Sequence, residues 1–469
     1  MRLAFAVAVV VALSSQAQPA VRTMRLDYFH TGNTKLELFS LDEAVVEPST
    51  WSGYAGRRAD PLGYGAYGFD VRDAATKELR YSHGFGSIYD EWVTTEEART
   101  QTRTFHESVR FPLPAAQVTV TIRKRESGDR WRDLWTVAVD PKDMFVNTAA
   151  PEPSPGAVIA FEKHGDPAAK VDILLLGDGY TAAERPKFEA DSRKLLTVLF
   201  GTSPFKERRN DFNVWGLVPP AKESGISRPS QGIHKSNPVG STYDAFGSER
   251  YVLSFDNKAF RQFASYAPYD VVEIMVNGRT YGGGGIYGLY STVAADNAFA
   301  PYVFVHEFAH HFAALADEYY TSPVAYLPSE TREEPWEANI TALLDPAALK
   351  WKDLVKPGTP LPTRWEKETY EQQSRESQAR RAELRKQGRP EQEMEALFAE
   401  EHARDEAMFA KYRGLVGAYE GGRYEAKGYY RPEANCIMFT RTDFFCAVCR
   451  RALNQVIDTY SREALLVGK

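Results

Sequence analysis

Tyr302-Val303-Phe304-Val305-His306-Glu307-Phe308-Ala309-His310-His311-Phe312-Ala313-Ala314-Leu315-Ala316-Asp317-Glu318-Tyr319-Tyr320 is the stretch on which the reading of this chain turns. His306 and His310 are four residues apart. On a helix that spacing places both imidazoles on one face, one turn from each other, as two ligands of a single zinc ion require. Glu307 follows the first of them, displaced by about 100° around the axis. From there its carboxylate reaches a zinc-bound water without ligating the metal, so Glu307 is the expected general base. The chain has nine histidines, and three of them lie within His306–His311. At that frequency a chance His-Glu-x-x-His anywhere in the chain has odds of roughly one in a hundred.

A catalytic zinc takes three protein ligands and keeps one position open. Asp317, seven residues past His310, is the expected third ligand. On a straight helix it would sit about 10 Å further along the axis, so the chain must turn back soon after His310. Zinc peptidases with a Met-turn make such a turn, usually at a Gly; Ala313 and Ala314 stand there in this chain. Glu318, or a carboxylate further downstream, is the alternative ligand. Asn435-Cys436-Ile437-Met438 offers the methionine of a Met-turn, Met438 being one of seven in the chain. His311 is expected behind the ligands or at the surface. Tyr319 and Tyr320 read as core residues, or as hydrogen-bond donors to a tetrahedral oxyanion. Upstream, Tyr281-Gly282-Gly283-Gly284-Gly285-Ile286-Tyr287 reads either as a sheet edge that a peptide backbone can approach or as a mobile loop.

Around this helix the pattern is strand–helix–strand. Val171-Asp172-Ile173-Leu174-Leu175-Leu176, Phe212-Asn213-Val214-Trp215-Gly216-Leu217-Val218 and Val271-Val272-Glu273-Ile274-Met275-Val276 are buried strands, with a helix from about Ala182 to Phe200 between the first two. Gly177-Asp178-Gly179 lacks the rest of a nucleotide-binding fingerprint and reads as a turn. Residues 366–412 are rich in Glu, Gln, Arg, Lys and Ala, and are broken by Gly388-Arg389-Pro390. They read as a charged helical hairpin inserted in the catalytic domain, a solvated excursion rather than a partner-binding arm.

Before Val146 the period is that of strands, as in Gln117-Val118-Thr119-Val120-Thr121-Ile122, with turns such as His30-Thr31-Gly32-Asn33. The fold class expected is therefore multidomain. An N-terminal all-β sandwich (22–147) and a Pro-containing linker (148–157) precede an α/β (α+β) Met-turn zinc-peptidase domain (158–469) with the charged helical insert. Residues 1–17 read as a cleaved signal peptide, with Arg2 ahead of an apolar run Leu3–Leu13 and small residues up to Ala17. The protein is then secreted or periplasmic, with no membrane span. A formal net charge of −6 disfavours nucleic acid as the main partner. Three cysteines, Cys436, Cys446 and Cys449, suggest one disulfide and one leftover thiol. A zinc site on them would need a fourth ligand, and no His lies close in sequence.

Three segments together resemble the bacterial IgA-protease-type zinc metallopeptidases (metallopeptidase family sixty-four): His306 to Tyr320; Lys170-Val171-Asp172-Ile173-Leu174-Leu175-Leu176-Gly177-Asp178-Gly179-Tyr180; and Tyr430-Arg431-Pro432 leading into Cys436-Ile437-Met438. The region ahead of the linker, with Tyr28-Phe29-His30-Thr31-Gly32, looks like that family's N-terminal β-domain. The resemblance implies Zn2+ held by His306, His310 and Asp317, Glu307 as base, and a protein or peptide substrate. Ala314 departs from the family pattern, where a Gly is expected. The expectation is an exported zinc endopeptidase. The alternatives are an inactive peptidase scaffold serving as an adhesin or as a glycan- or protein-binding module, and a zinc amidase or esterase acting on cell-wall peptide. Retention of Glu307 argues against the inactive scaffold.

Overall fold

The computed structural model describes residues 21–53, 57–322, 324–325 and 331–461. The apolar leader lies outside the described residues. The first strands are β1 (Arg22–Gly32), β2 (Glu37–Thr50), β3 (Tyr67–Asp73) and β4 (Leu79–Phe85), followed by helix α1 (Ile88–Val93). Then come β5 (Arg103–Pro112), β6 (Val118–Glu126), β7 (Arg130–Val139) and the two-residue β8 (Val146–Asn147). They form two four-stranded sheets, ordered β5-β1-β2-β8 and β4-β3-β6-β7. Alternate residues of both sheets, among them Met24, Leu26 and Tyr28 from one and Phe69, Val120 and Ile122 from the other, meet in one hydrophobic core. No helix or strand occurs over residues 148–158.

A six-stranded sheet follows, ordered β15-β16-β14-β10-β11-β9, from β9 (Ile159–Glu162), β10 (Val171–Asp178), β11 (Phe212–Leu217), β14 (Val271–Val276), β15 (Gly283–Ile286) and β16 (Tyr290–Ala294). A short pair, β12 (Ser241–Thr242) and β13 (Leu253–Ser254), lies outside it. The central strands are parallel, and β15 and β9 are antiparallel edges. Every residue of β10 is buried, as expected of a parallel strand covered on both faces. Ile173 and Leu175 point into a core shared with α2 (Arg185–Leu199), α4 (Ala300–Ala313) and α7 (Ala447–Tyr460). Leu174 and Leu176 point the other way, into a core shared with α3 (Asn257–Ala264). Ile88, Tyr89 and Trp92 of α1 join that second core, so the N-terminal region covers part of the sheet. The whole is a mixed α/β chain.

The charged segment forms two helices, α5 (Lys367–Lys386) and α6 (Glu391–Phe409), but it is not a solvated excursion. Met394, Leu397 and Phe398 recur at helical spacing and enter the core beside α4. The Phe398 ring lies 5.0 Å from Tyr281 and 5.3 Å from Phe299. The partly buried pair Arg441–Glu401, at 2.7 Å, ties α6 to the segment before α7. A hairpin, β17 (Tyr419–Gly422) and β18 (Glu425–Arg431), follows. No helix among the described residues is long and apolar enough to cross a membrane.

Candidate active site

The α4 helix presents three faces. Phe304, Phe308 and Phe312, four apart, pack into the core, where Phe205 stacks edge-on against Phe308 at 5.5 Å. Glu307 and His310 face a cleft of about 760 Å³ that Asp317 and Tyr319 also line, and buried His306 lies one turn before His310. His311 takes the third face. Its Nε2 accepts from the Val272 N–H at 3.1 Å and its Nδ1 donates to the Ile286 carbonyl at 3.1 Å. His311 is thus a buried brace between two strands, neither at the surface nor behind the ligands, and burial pushes its pKa down to about 3.

The helix ends at Ala314, which adopts the left-handed conformation (φ 53, ψ 30) that a Gly takes without strain. That residue returns the chain towards the imidazoles. Asp317 Oδ1 comes to 3.0 Å from His306 Nε2 and 3.2 Å from His310 Nε2, and the two Nε2 atoms are 3.1 Å apart. His306 Nδ1 faces the Ile437 carbonyl at 2.9 Å, and His310 Nδ1 faces the Leu315 carbonyl at 2.5 Å. A carbonyl can only accept, so each Nδ1 carries the proton and each Nε2 keeps its lone pair. Tyr424 donates to the other oxygen of Asp317 at 2.6 Å and fixes its rotation.

Three lone-pair atoms within about 3 Å of one another need a shared cation. One candidate is an extra proton. Burial opposes charge on His310, but Asp317 outweighs it and pushes its pKa up to about 9. Burial likewise opposes charge on Asp317, yet the two rings hold its carboxyl well below the usual carboxylate range. The other candidate is a metal ion. Metal–ligand bonds of about 2.0–2.1 Å in a tetrahedron put donor atoms roughly 3.3 Å apart, close to the edges observed. Asp317 Oδ1 is buried with no hydrogen-bond donor aimed at it, which a metal would relieve. The donor set fits zinc.

Glu307 stands beside this triangle. Burial lifts its carboxyl above the usual range, against the pull of His306 and His310. The alternative ligand Glu318 is not at the triangle: its Oε1 accepts from Asn339 at 3.0 Å and lies 3.4 Å from Cys449 Sγ. Tyr319 belongs to the cleft, its ring stacked 6.3 Å from that of His306 and its hydroxyl 3.4 Å from an Arg250 nitrogen. Tyr320 belongs to a buried aromatic cluster with Tyr370 and Phe439.

The glycine run serves the helix first. A Cβ on Gly285 would lie 2.4 Å from the Glu307 carbonyl oxygen and 2.9 Å from His310 Cβ, and one on Gly283 would lie 2.5 Å from Val303. Only glycines let α4 press this closely on the edge strand. Part of that edge is already paired, since the Gly283 N–H donates to the Arg250 carbonyl at 3.1 Å. Sequence reasoning missed Arg250 and Tyr424, which lie far from the helix in sequence and carry no local pattern. It also missed the far wall of the cleft, which includes Ser87, Asp90, Glu91 and Thr94 around α1. The expected disulfide with one leftover thiol is not formed: all three cysteines are unbridged, with the Cys436 and Cys449 sulfurs 3.8 Å apart.

A mixed α/β scaffold that presents two imidazoles, a buried carboxylate and a free acid in one cleft defines a candidate metallohydrolase. The family comparison is more specific: the model described as IgA Peptidase M64 matches residues 159–457, and that described as Peptidase M64 N-terminus matches residues 17–136. The chain belongs to the M64 peptidase family and has its two-domain architecture. It is a peptidase of a metallopeptidase family, and a peptidase acts on protein or peptide substrates. A search of curated proteins finds no match to the chain.

Proposed function

We propose that the protein is an exported zinc-dependent endopeptidase in which His306, His310 and Asp317 hold the metal and Glu307 is the general base. The observation that carries this reading is the triangle of His306 Nε2, His310 Nε2 and Asp317 Oδ1, with edges of 3.0–3.2 Å. When bound, zinc supplies Lewis acidity that favours ionisation of water and polarises the scissile carbonyl. Glu307, beside the metal ligands, takes the proton of the attacking water and returns it to the leaving amine. Tyr319, held by Arg250, donates to the oxygen that becomes negative in the tetrahedral transition state. In this reading residues 435–438 are the Met-turn, supported by the Ile437 carbonyl on His306 Nδ1 at 2.9 Å. Residues 22–147 are a β-sandwich that supplies the far wall of the cleft, and 148–157 connect it to the catalytic domain 158–469. The leader 1–17 directs export to the periplasm or beyond.

The test is hydrolysis of a peptide library by the purified mature protein, with metal analysis before and after chelation. Stoichiometric zinc, cleavage at internal bonds, and loss and restoration of activity with the metal support the reading. Unchanged cleavage by metal-free protein rules it out, and binding of protein or glycan without cleavage selects the adhesin alternative.

A further inference from the structure

Behind the active site lies a second convergence of metal-binding groups. Cys436, Cys446, Cys449 and Glu318 are all buried to 0% exposure, and one donor atom from each lies within 4.8 Å of all the others. The residues come from three places: Glu318 from the segment after α4, Cys436 from the turn of Met438, and Cys446 and Cys449 from the start of α7. Cys446 is the N-cap of that helix, where its sulfur accepts from the Cys449 N–H. The Cys-x-x-Cys spacing at a helix start is a metal-ligand spacing. The Cys436 sulfur in turn accepts from the Cys446 N–H at 3.3 Å. Such N–H donors stabilise thiolate rather than thiol.

The distances decide between a disulfide and a metal. A disulfide needs sulfurs about 2.05 Å apart, whereas Cys436 and Cys449 are 3.8 Å apart. Tetrahedral zinc with Zn–S of about 2.3 Å puts two sulfurs about 3.8 Å apart, and with Zn–O of about 2.0 Å it puts sulfur and oxygen about 3.5 Å apart. The observed Cys449 Sγ to Glu318 Oε1 distance is 3.4 Å. Glu318 adds an independent observation: its Oε2 is buried without a hydrogen-bond partner, an arrangement that is costly for a carboxylate facing three sulfurs.

We propose that Glu318, Cys436, Cys446 and Cys449 form a second metal site, a closed tetrahedral zinc(II) site with three thiolates and one carboxylate. It is structural, because four protein ligands leave no open position and no solvent reaches it. Its position gives it a task. Glu318 is the neighbour of Asp317, and its N–H donates to the Met438 carbonyl at 2.8 Å. The adjoining Ile437 carbonyl orients His306. One ion here ties the segment carrying Asp317, the turn that orients His306 and the first turn of α7 into a single block. It also holds three thiols against oxidation.

The site stands independently of the peptidase reading, and the test keeps the two apart. Full-length mature protein and its His306→Ala/His310→Ala variant are purified without reductant or chelator and assayed for zinc per chain. The expected result is two zinc ions in the parent and one in the variant. Replacing that one ion by cobalt(II) should give the sulfur-to-cobalt charge-transfer and strong visible bands of a tetrahedral thiolate site. Denaturation in chelator should then expose three titratable thiols. The cysteines are untouched, so a misfolded cysteine variant cannot confuse the outcome. A variant that folds but holds no metal, or a chain with one titratable thiol and the other two oxidised to a disulfide, overturns the proposal. Equal zinc in parent and variant instead counts against His306 and His310 as ligands and leaves the thiolate site standing.

Discussion

Replacing Glu307 by Gln separates the base from the ligands. The amide has the size of the carboxylate, which matters because the helix backbone at this residue lies against Gly285, where a Cβ would come within 2.4 Å. No repacking is needed. The triangle of 3.0–3.2 Å edges is formed by His306, His310 and Asp317, so the substitution removes no ligand. Burial already raises the Glu307 carboxyl above its usual range, so a neutral group there does not destabilise the fold. What is lost is proton transfer, worth about 10²–10⁴ in rate, or roughly 2.7–5.4 kcal/mol on the barrier. The expected result is kcat down by that factor, KM and zinc content within about twofold of the parent, and an unchanged melting temperature. The assay is cleavage of an internally quenched peptide, run with metal analysis on the same preparation. In the parent, the acid limb of kcat/KM tracks ionisation of the base, because a protonated Glu307 cannot accept. Turnover by the Gln variant within tenfold of the parent, or zinc lost together with activity, would refute the assignment.

Asp317→Asn keeps a hydrogen-bond acceptor for Tyr424 but removes the anion between the rings, so zinc affinity should fall at least 10–100-fold; competition with a chromophoric chelator measures it, and unchanged affinity returns the third ligand to the open alternatives. Ala314→Gly relieves a left-handed alanine, φ 53, worth roughly 1–2 kcal/mol, against about 0.4–1 kcal/mol from the freer unfolded chain. Urea unfolding should therefore show a gain of roughly 0.5–1 kcal/mol with activity retained, and a loss of stability would show that the turn is not strained. Glu37 is half-buried against His30, Lys124 and Tyr67; desolvation opposes its charge, but those partners bring its pKa down to about 2. A pKa depressed in the folded state gives stability that is full above pH 4.5 and fades as pH falls towards 2. Glu37→Gln should cost about 2–3 kcal/mol at neutral pH and flatten that acid limb of stability; an unaltered limb would remove Glu37 from it.

The sequence made some features legible and concealed others for reasons that lie in particular residues. Four-residue spacing forces His306 and His310 together whatever the rest of the chain does. The apolar run Ile173–Leu176 in β10 reads as a buried strand, and cores cover it on both faces. Asp317 was legible only if the chain reversed at once, and the reversal occurs at an alanine where local preference argues against it. In the insert the high charge hides the period: Met394, Leu397 and Phe398 trace a helical stripe inside a run of Glu, Arg and Gln. Contacts between distant segments were illegible altogether. Nothing near Tyr424 marks it as the partner of Asp317. Nothing near Cys446 indicates that the fourth member of its cluster is Glu318.

Those distant contacts tie down the segments, outside helix and strand, that carry Asp317, Tyr319 and Arg250. The edge strand β15 packs against α4 through glycines. Its upstream end is gripped from two sides, by the Arg250 backbone and by Glu391 of α6, which accepts from the Tyr281 N–H at 3.2 Å. Arg385 of α5 pairs with both Glu391 and Glu249, at 2.6 and 2.9 Å. The helical insert therefore braces the segment that carries Arg250 and, through it, Tyr319. On the opposite wall, Glu91 of α1 accepts from Tyr251 at 3.0 Å, so the N-terminal region grips the same segment from the other side. Residues 249–251 are the point at which the insert, the N-terminal region and the catalytic core meet. Residues 249–251 supply no atom to the triangle of His306, His310 and Asp317, so a substitution there is expected to act on substrate positioning, through Tyr319.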